Sequence, residues 1–335
     1  MRRLVRSLLP VPWLGLLLAA CDGPVDPRAA ADAALDAEPS WSPDGATIAF
    51  VRTGPRAGVV SAVRASREPG APGVATSEVP PPRALLLVAA GGGAPRVLAH
   101  TVTAPAWLPD GGGLLATDPF RGRVVRVATD GTVRPVADTT ALAFDPAVSR
   151  GGAVLVSTDR TDAGGRGGPL RLWLAAERAL RRPLGPAAPG GGAGGSEQST
   201  SPSWGPDGRV AFQRWRAADG PGFQIAIVDT AVGAAAVRVA DGTAPAWSPT
   251  GEWIAYTRDA TGGRGTLRLV RPDGTGDRPL IGGAEEGAVT GRAAWSPDGR
   301  FLAVPRVTRA HGAALWVVDA ATGAARRLTA PRDAR

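Results

Sequence analysis

Short apolar runs recur along most of the chain, each bounded by Gly, Pro, Asp or Ser. Four of them follow the same kind of boundary: Thr47-Ile48-Ala49-Phe50-Val51, Val210-Ala211-Phe212, Trp253-Ile254-Ala255-Tyr256 and Phe301-Leu302-Ala303-Val304. A second set, at 84–88, 170–174, 225–228, 267–270 and 314–318, is equally short and apolar. After the last of these, the turn Asp319-Ala320-Ala321-Thr322-Gly323 leads to a final run at 325–328. Helical periodicity is absent outside the N-terminus. Runs of this length, separated by turn residues, predict about four short strands per unit.

The units are marked by a repeated boundary. It reads Ser40-Trp41-Ser42-Pro43-Asp44-Gly45, Ala106-Trp107-Leu108-Pro109-Asp110-Gly111, Ser203-Trp204-Gly205-Pro206-Asp207-Gly208, Ala246-Trp247-Ser248-Pro249-Thr250-Gly251 and Ala294-Trp295-Ser296-Pro297-Asp298-Gly299. Ala143-Phe144-Asp145-Pro146 is a degenerate sixth copy. Pro presets the first corner of a turn, Asp tolerates the second, and Gly accepts the left-handed conformation before the next strand. The aromatic residues Trp41, Trp107, Phe144, Trp204, Trp247 and Trp295 are expected to end inner strands and wedge between units. Burying roughly 200 Å² of indole is worth a few kcal/mol at about 25 cal/mol per Å². Successive aromatics lie 66, 37, 60, 43 and 48 residues apart. A strand-rich unit recurring near 40 residues is the signature of a propeller blade. The expected fold is all-β: a six-bladed β-propeller of four-stranded antiparallel blades.

The Trp-Ser-Pro-Asp-Gly turn followed by an apolar strand resembles the repeat of TolB-type six-bladed propellers. It is also similar to the propellers of prolyl-peptidase relatives. The resemblance covers about residues 38–330 and implies the fold; the motif is structural in every blade and assigns no activity. TolB proteins carry an α/β domain before the propeller, for which this sequence has no room. Prolyl peptidases need a hydrolase domain, and the Gly-x-Ser-x-Gly nucleophile elbow is absent from the sequence.

The N-terminus is of another character. Arg2, Arg3 and Arg6 precede an apolar run at 8–20, too short for a membrane helix, which ends in Leu18-Ala19-Ala20-Cys21. Cys21 is the only cysteine in 335 residues. This arrangement resembles a bacterial lipoprotein signal, which implies a signal peptide over 1–20 and lipid attachment at Cys21. Residues 21–38 then read as a flexible tether, and 39–335 as the propeller. With a single Cys there is no internal disulfide, so stability must come from packing.

Charge does not point to nucleic acid. The pI is about 11.2, but all 38 basic residues are Arg, with neither Lys nor Asn in the chain. Removal of the leader takes the formal charge from +8 to +5, and the remaining arginines are scattered. The composition instead reflects a GC-rich coding sequence.

Surplus length is concentrated on one face. The Pro-Asp-Gly turns and the turns between third and fourth strands share one end of every blade. Loops between second and third strands, and the connections between blades, share the other. The long segments at 53–83, 159–169 and 185–200 all fall on this second, insertion face, as do 214–222, 258–265, 282–292 and 306–312. Arg160, Trp215, Arg258 and His311 are the candidate partner-binding residues there. At the tunnel, the residues just before the aromatics are small; three positions before, only Glu38 and Arg292 are charged. A solvated or structural role suits His100, His311, Glu285-Glu286 and the Asp319 turn better than a chemical one. Trp173 and Trp316 are expected in the core. No catalytic residue, metal ligand or cofactor is therefore assigned. The expectation is a monomeric, lipid-anchored propeller of the bacterial cell envelope, outside the cytoplasm, binding envelope proteins or peptides as a scaffold. The alternatives are a calcium-dependent lactonase-like hydrolase and a peptide or polysaccharide receptor.

Overall fold

Six sheets follow one another along the chain without exchanging strands. They are seen in a computed structural model that describes residues 34–54, 82–136, 143–158, 170–176, 179–184, 197–220, 222–230, 237–258, 265–282, 287–308 and 310–330. Blade 1 comprises β1 (Leu35–Trp41), β2 (Thr47–Thr53), β3 (Arg83–Ala89) and β4 (Arg96–His100). Blade 2 comprises β5 (Thr103–Trp107), β6 (Gly113–Asp118), β7 (Arg123–Ala128) and β8 (Val133–Pro135). Blade 3 comprises β9 (Ala143–Val148), β10 (Val154–Thr158), β11 (Arg171–Ala176) and β12 (Ala179–Pro183). Blade 4 comprises β13 (Glu197–Trp204), β14 (Arg209–Arg216), β15 (Gln224–Asp229) and β16 (Val237–Asp241). Blade 5 comprises β17 (Thr243–Trp247), β18 (Ile254–Arg258), β19 (Thr266–Val270) and β20 (Arg278–Gly282). In blade 6 the first strand is split into β21 (Ala288–Val289) and β22 (Ala294–Trp295), which both pair with β23 (Phe301–Thr308); β24 (Gly312–Asp319) and β25 (Ala325–Arg327) complete it.

All pairing is antiparallel, and each first strand touches the first strands of both neighbouring blades, so six inner strands ring an axis. The chain is thus an all-β, six-bladed propeller. No helix among the described residues is long and apolar enough to cross a membrane.

The turns form as their residues dictate. In blade 1, Asp44 Oδ1 accepts from the Ser42 hydroxyl and from Ala46 N, while Ser42 Oγ accepts from Thr47 N. Ser296 and Asp298 repeat the arrangement in blade 6. The hydroxyl and carboxylate satisfy the amides that a two-residue corner leaves unpaired. Asp319 likewise accepts from Ala321 N and Thr322 N, as a turn residue would.

The tryptophans explain how the ring holds together. Each indole N–H donates to the carbonyl just before the equivalent aromatic of the preceding blade: Trp107 to Ser40 at 3.2 Å, Trp204 to Ala147 at 3.2 Å, and Trp295 to Ala246 at 2.9 Å. Trp41 donates to Ala294 at 3.0 Å, which closes blade 1 on blade 6. The seam is packed by Ile48, Phe50, Leu86 and Val88 against Ala303, Leu315, Val317 and Leu328. Trp247 departs from the pattern. Blade 4 has Gly205 where the other Trp-containing copies have Ser or Leu, and a Cβ there would lie 3.0 Å from the Trp247 ring. The indole uses that space, under the Arg209 guanidinium at 5.1 Å.

Two expectations change. Ala147 pairs with Leu155 in the way that Ala106 pairs with Leu115. The register therefore puts Val148, not Phe144, at the position of the tryptophans, and the intervals around it become 41 and 56 residues. Phe144-Asp145-Pro146 imitates Trp-x-Pro, but its proline belongs to the strand and not to the turn. Trp173 is buried among Leu115, Val124 and Val156, filling the seam between blades 2 and 3 where Val148 supplies no indole. The second change is at the tether. β1 begins at Leu35, so residues 35–38 belong to blade 1, and Asp36 is buried in an ion pair with Arg52 at 2.6 Å.

Candidate functional site: a charged layer in the axial channel

Every inner strand except that of blade 6 contains a bulge, and at each one a non-glycine residue takes positive φ: Glu38 (53°), Ala104 (49°), Asp145 (51°), Ser201 (52°) and Ala244 (53°). These residues stand three positions before the Trp, or before Val148 in blade 3; Arg292 is the corresponding residue of blade 6. A bulge turns a backbone amide out of its own ladder, and that amide must find another acceptor.

The preceding blade supplies it. Asp145 N donates to Thr117 Oγ1 at 3.2 Å, and Ala244 N donates to Gln213 Oε1 at 3.1 Å. Thr117 and Gln213 occupy the same step of their second strands, opposite Thr103 and Thr200. At that step blade 1 has Val51, which cannot accept, and the Glu38 side chain caps Ala104 N instead, at 2.6 Å. Blade 3 has Ser157, buried and, among the described residues, with no hydrogen bond from its hydroxyl, and the Asp145 carboxylate serves Ser201 N and its hydroxyl. Arg292 reaches from blade 6 to the Pro202 carbonyl of blade 4 at 3.1 Å.

Three charges therefore meet at one level. Glu38 is exposed, and Asp145 and Arg292 are half-buried. Burial pushes the Glu38 carboxyl above its ordinary range; the Ala104 amide lowers it, and the nearby Asp145 raises it further. Burial also raises Asp145, against the Arg292 charge and the Ser201 hydrogen bonds. Arg292 is lowered by the same loss of water and supported by both carboxylates. The layer lies three residues before the turn end of each inner strand. Among the described residues, no three His, Cys, Asp or Glu side chains gather as metal ligands would. Asp145 escaped the sequence reading because the blade 3 register was set by Phe144.

Three of the expected partner residues stand in separate blades, 4, 5 and 6. Trp215 is not on a loop; it is half-buried within β14, opposite Gln198. Arg258 ends β18, pairs with Asp277 at 3.4 Å, and donates to the Asp241 carbonyl. It lines a surface groove of about 430 Å³ with Arg238, Asp241 and Asp277. His311 sits in the β23–β24 turn, stacked on half-buried Trp316 at 5.8 Å. Arg160, Cys21 and Glu285-Glu286 lie outside the described residues. One exposed group was missed: Phe120, at the β6–β7 hairpin of the insertion face, is 64% exposed. Asp118 Oδ1 accepts from Phe120 N and Arg121 N, fixing the turn that presents it. The sequence signal was an aromatic inside Asp118-Pro119-Phe120-Arg121-Gly122, where a turn should be polar.

Beside the groove, Tyr256 is fully buried and donates to Asp277 Oδ1 at 2.8 Å. Burial, and that hydrogen bond, push its hydroxyl up to about 12. Tyr256 is the chain's single tyrosine. An ultraviolet titration is expected to show one phenolate transition, displaced to about 12. A transition at the ordinary phenol value, about 10, in protein still folded by circular dichroism would contradict the burial.

No protein-family model matches the chain. The Tol-Pal system protein TolB of Gluconobacter oxydans is 44% identical over 62 residues, which are 18% of this chain and 13% of that protein. The fold is similar to TolB of Agrobacterium tumefaciens, with a TM-score of 0.58 and 20% identity over 70% of this chain and 84% of that one. It is also similar to TolB of Acinetobacter baumannii, at 0.56 and 15% over 73% and 59%. A gluconolactonase of Xanthomonas campestris gives 0.53 and 12% over 86% of both chains. The repeat read from the tryptophans, the six sheets and these likenesses agree: the chain has a six-bladed β-propeller fold similar to that of TolB proteins.

Proposed function

We propose that the chain is a lipid-anchored propeller of the bacterial cell envelope that binds other proteins through its insertion face and acts as a scaffold. The observation that carries this reading is the 44% identity with a Tol-Pal system protein, which falls within a TolB-like fold. Leu18-Ala19-Ala20-Cys21 supports the anchor, and residues 22–34 supply the tether. The insertion face is supported by the surplus length on it and by Phe120, a rigidly held aromatic beside exposed Arg121. Exposed aromatic and Arg side chains of this kind anchor interfaces.

Cys21→Ser is expected to abolish incorporation of a labelled fatty acid and to release the protein from membranes. If the wild type takes up no label, there is no anchor. Phe120→Ala with Arg121→Ala is expected to reduce capture of envelope proteins from membrane extract at least tenfold, an effect of about 1.4 kcal/mol or more. Glu252→Ala, exposed on the opposite face, should leave capture unchanged. Equal capture by all three proteins would overturn the face assignment.

One observation favours a second reading, a calcium-dependent lactonase-like hydrolase: two carboxylates line the channel of a fold shared with a gluconolactonase. Both are engaged with amides, and Arg292 stands beside them, a poor neighbour for a divalent cation. Calcium-dependent lactone hydrolysis lost in Glu38→Gln would establish the enzyme over the scaffold.

A further inference from the structure

One step of the outermost strand carries the same residue in most blades. In blade 1, pairing outward from the residue before the motif Trp runs Ser40, Ala49, Leu87 and Arg96. The same walk ends on Arg134 in blade 2, Arg182 in blade 3, Arg278 in blade 5 and Arg326 in blade 6; blade 4 ends on Val237. Two of these arginines are fixed by the next blade. Arg278 donates to the Ala320 carbonyl at 3.3 Å and Arg326 to the Ala90 carbonyl, each acceptor just past a third strand. A carbonyl holds a guanidinium in place without cancelling its charge.

Counter-charges divide the ring. In blades 4 and 5, Arg238 pairs with Asp241, Arg258 and Arg268 pair with Asp277, and Arg271 and Arg278 lie over Trp253. In blades 6, 1 and 2, Arg96, Arg126, Arg134, Arg326 and Arg327 are all exposed and make no ion pair among the described residues. Arg126 and Arg134 stand directly opposite each other on β7 and β8, where like charges repel. The third and fourth strands of these three blades, with the turns between them, hold only two acids, Asp130 and Asp319. Both serve their own turns. Asp130 is held chiefly by the Thr132 amide, with Arg134 a lesser support, and Asp319 accepts from Ala321 N and Thr322 N. Charge placed on an edge only to prevent strand pairing gives no reason for one side of the ring to be matched and the other unmatched.

We propose that the outer strands of blades 6, 1 and 2 form a basic rim that docks on an anionic membrane surface, lipid phosphates supplying the counter-charges the rim lacks. Charge complementarity calls for an anion, and position selects the bilayer. β1 begins 14 residues after Cys21, a span of at most about 50 Å, which keeps blade 1 and its two neighbours within reach of the headgroups. This choice of occupant rests on the lipid-anchored reading above. Docked by its rim, the ring leaves the insertion face open to protein partners.

The test uses the full chain carrying Cys21→Ser, so that no acyl chain contributes. It is mixed with phosphatidylcholine vesicles and with vesicles of equal parts phosphatidylcholine and phosphatidylglycerol. Binding is expected to favour the anionic vesicles and to weaken as salt screens them. Arg96→Gln, Arg134→Gln and Arg327→Gln together remove no described hydrogen bond and should weaken that binding at least tenfold, since each basic residue at an anionic surface contributes about fivefold. Single substitutions, each costing about fivefold, carry the test if the triple variant does not fold. Lysine at the same three positions should retain binding, and Arg238→Gln with Arg258→Gln should leave it unchanged. Arg2, Arg3 and Arg6 are common to every variant and cancel in the comparison. Equal binding to both kinds of vesicle, or glutamine variants that bind as the parent does, would overturn the rim. If the glutamine variants weaken retention on heparin while both kinds of vesicle bind alike, the occupant is an acidic polymer and the proposal fails. Fatty-acid labelling of the wild type reports the anchor separately: label without anionic preference removes the rim alone, and anionic preference without label removes the anchor alone.

Discussion

Trp295→Ala is expected to lower the free energy of unfolding by about 3 kcal/mol, the low end for large aromatic truncations, because the indole is half-buried but packs against the core. Two losses combine. The indole packs with Ala246, Ala255, Leu302 and Val304 in the seam between blades 5 and 6, and its N–H satisfies the Ala246 carbonyl. Alanine opens a cavity and leaves that carbonyl without its donor. Trp215→Ala should cost about 1 kcal/mol, the ordinary price of a half-buried surface change. Reversible denaturant titration of both variants measures the difference. Equal losses would mean that the motif tryptophans are not what holds adjacent blades together.

Gly242→Ala is expected to destabilise by about 3 kcal/mol or more, through overpacking that the surroundings cannot relieve. Gly242 links β16 to β17, where the chain crosses from blade 4 to blade 5, and its φ is +156°. A Cβ there would stand 2.6 Å from the Thr257 carbonyl oxygen and 2.6 Å from the Tyr256 ring. Neither can retreat: Thr257 is in the β18 ladder, and Tyr256 is fully buried and bonded to Asp277. Gly222→Ala is the control, since nothing lies within 4 Å of its new Cβ and its backbone is not left-handed. It should change stability by less than about 0.5 kcal/mol. Comparable melting temperatures for the two variants would contradict the crossing geometry.

Strands, turns and blade number were legible because each is written locally, in the apolar runs and in Trp-Ser-Pro-Asp-Gly. The blade 3 register was not. An aromatic followed by Asp-Pro looks like the motif, whereas the better ruler is the proline two before the aromatic: Pro39, Pro105, Pro146, Pro202 and Pro245. Measured from Pro146, the sixth copy is Asp145-Pro146-Ala147-Val148, and a third charge enters the channel. The caps could not have been read at all. Glu38 meets Ala104 from 66 residues away, and it does so because Val51, on a different strand, lacks an acceptor. Trp215 was misplaced for a local reason: β14 runs on to Arg216, beyond the apolar core of Val210-Ala211-Phe212, because Arg214 and Gln213 are buried in it as well.

The contiguity of the blades has a bearing on how the chain comes to be made. Among the described residues each sheet is complete within its own stretch, and none lends a strand across the seam between blades 6 and 1. Stability in such an array grows by nearest-neighbour steps, so blades 1 to 5 can dock in the order in which they emerge. Blade 1 nevertheless waits. Its outer flank of Ile48, Phe50, Leu86 and Val88 finds its cover in Ala303, Leu315, Val317 and Leu328, the last such residues to be synthesised. A growing chain therefore carries an uncovered apolar flank at each end of an open arc until blade 6 arrives. Protection of that arc from other growing chains, more than the stability of the finished ring, is then what limits the yield of folded protein.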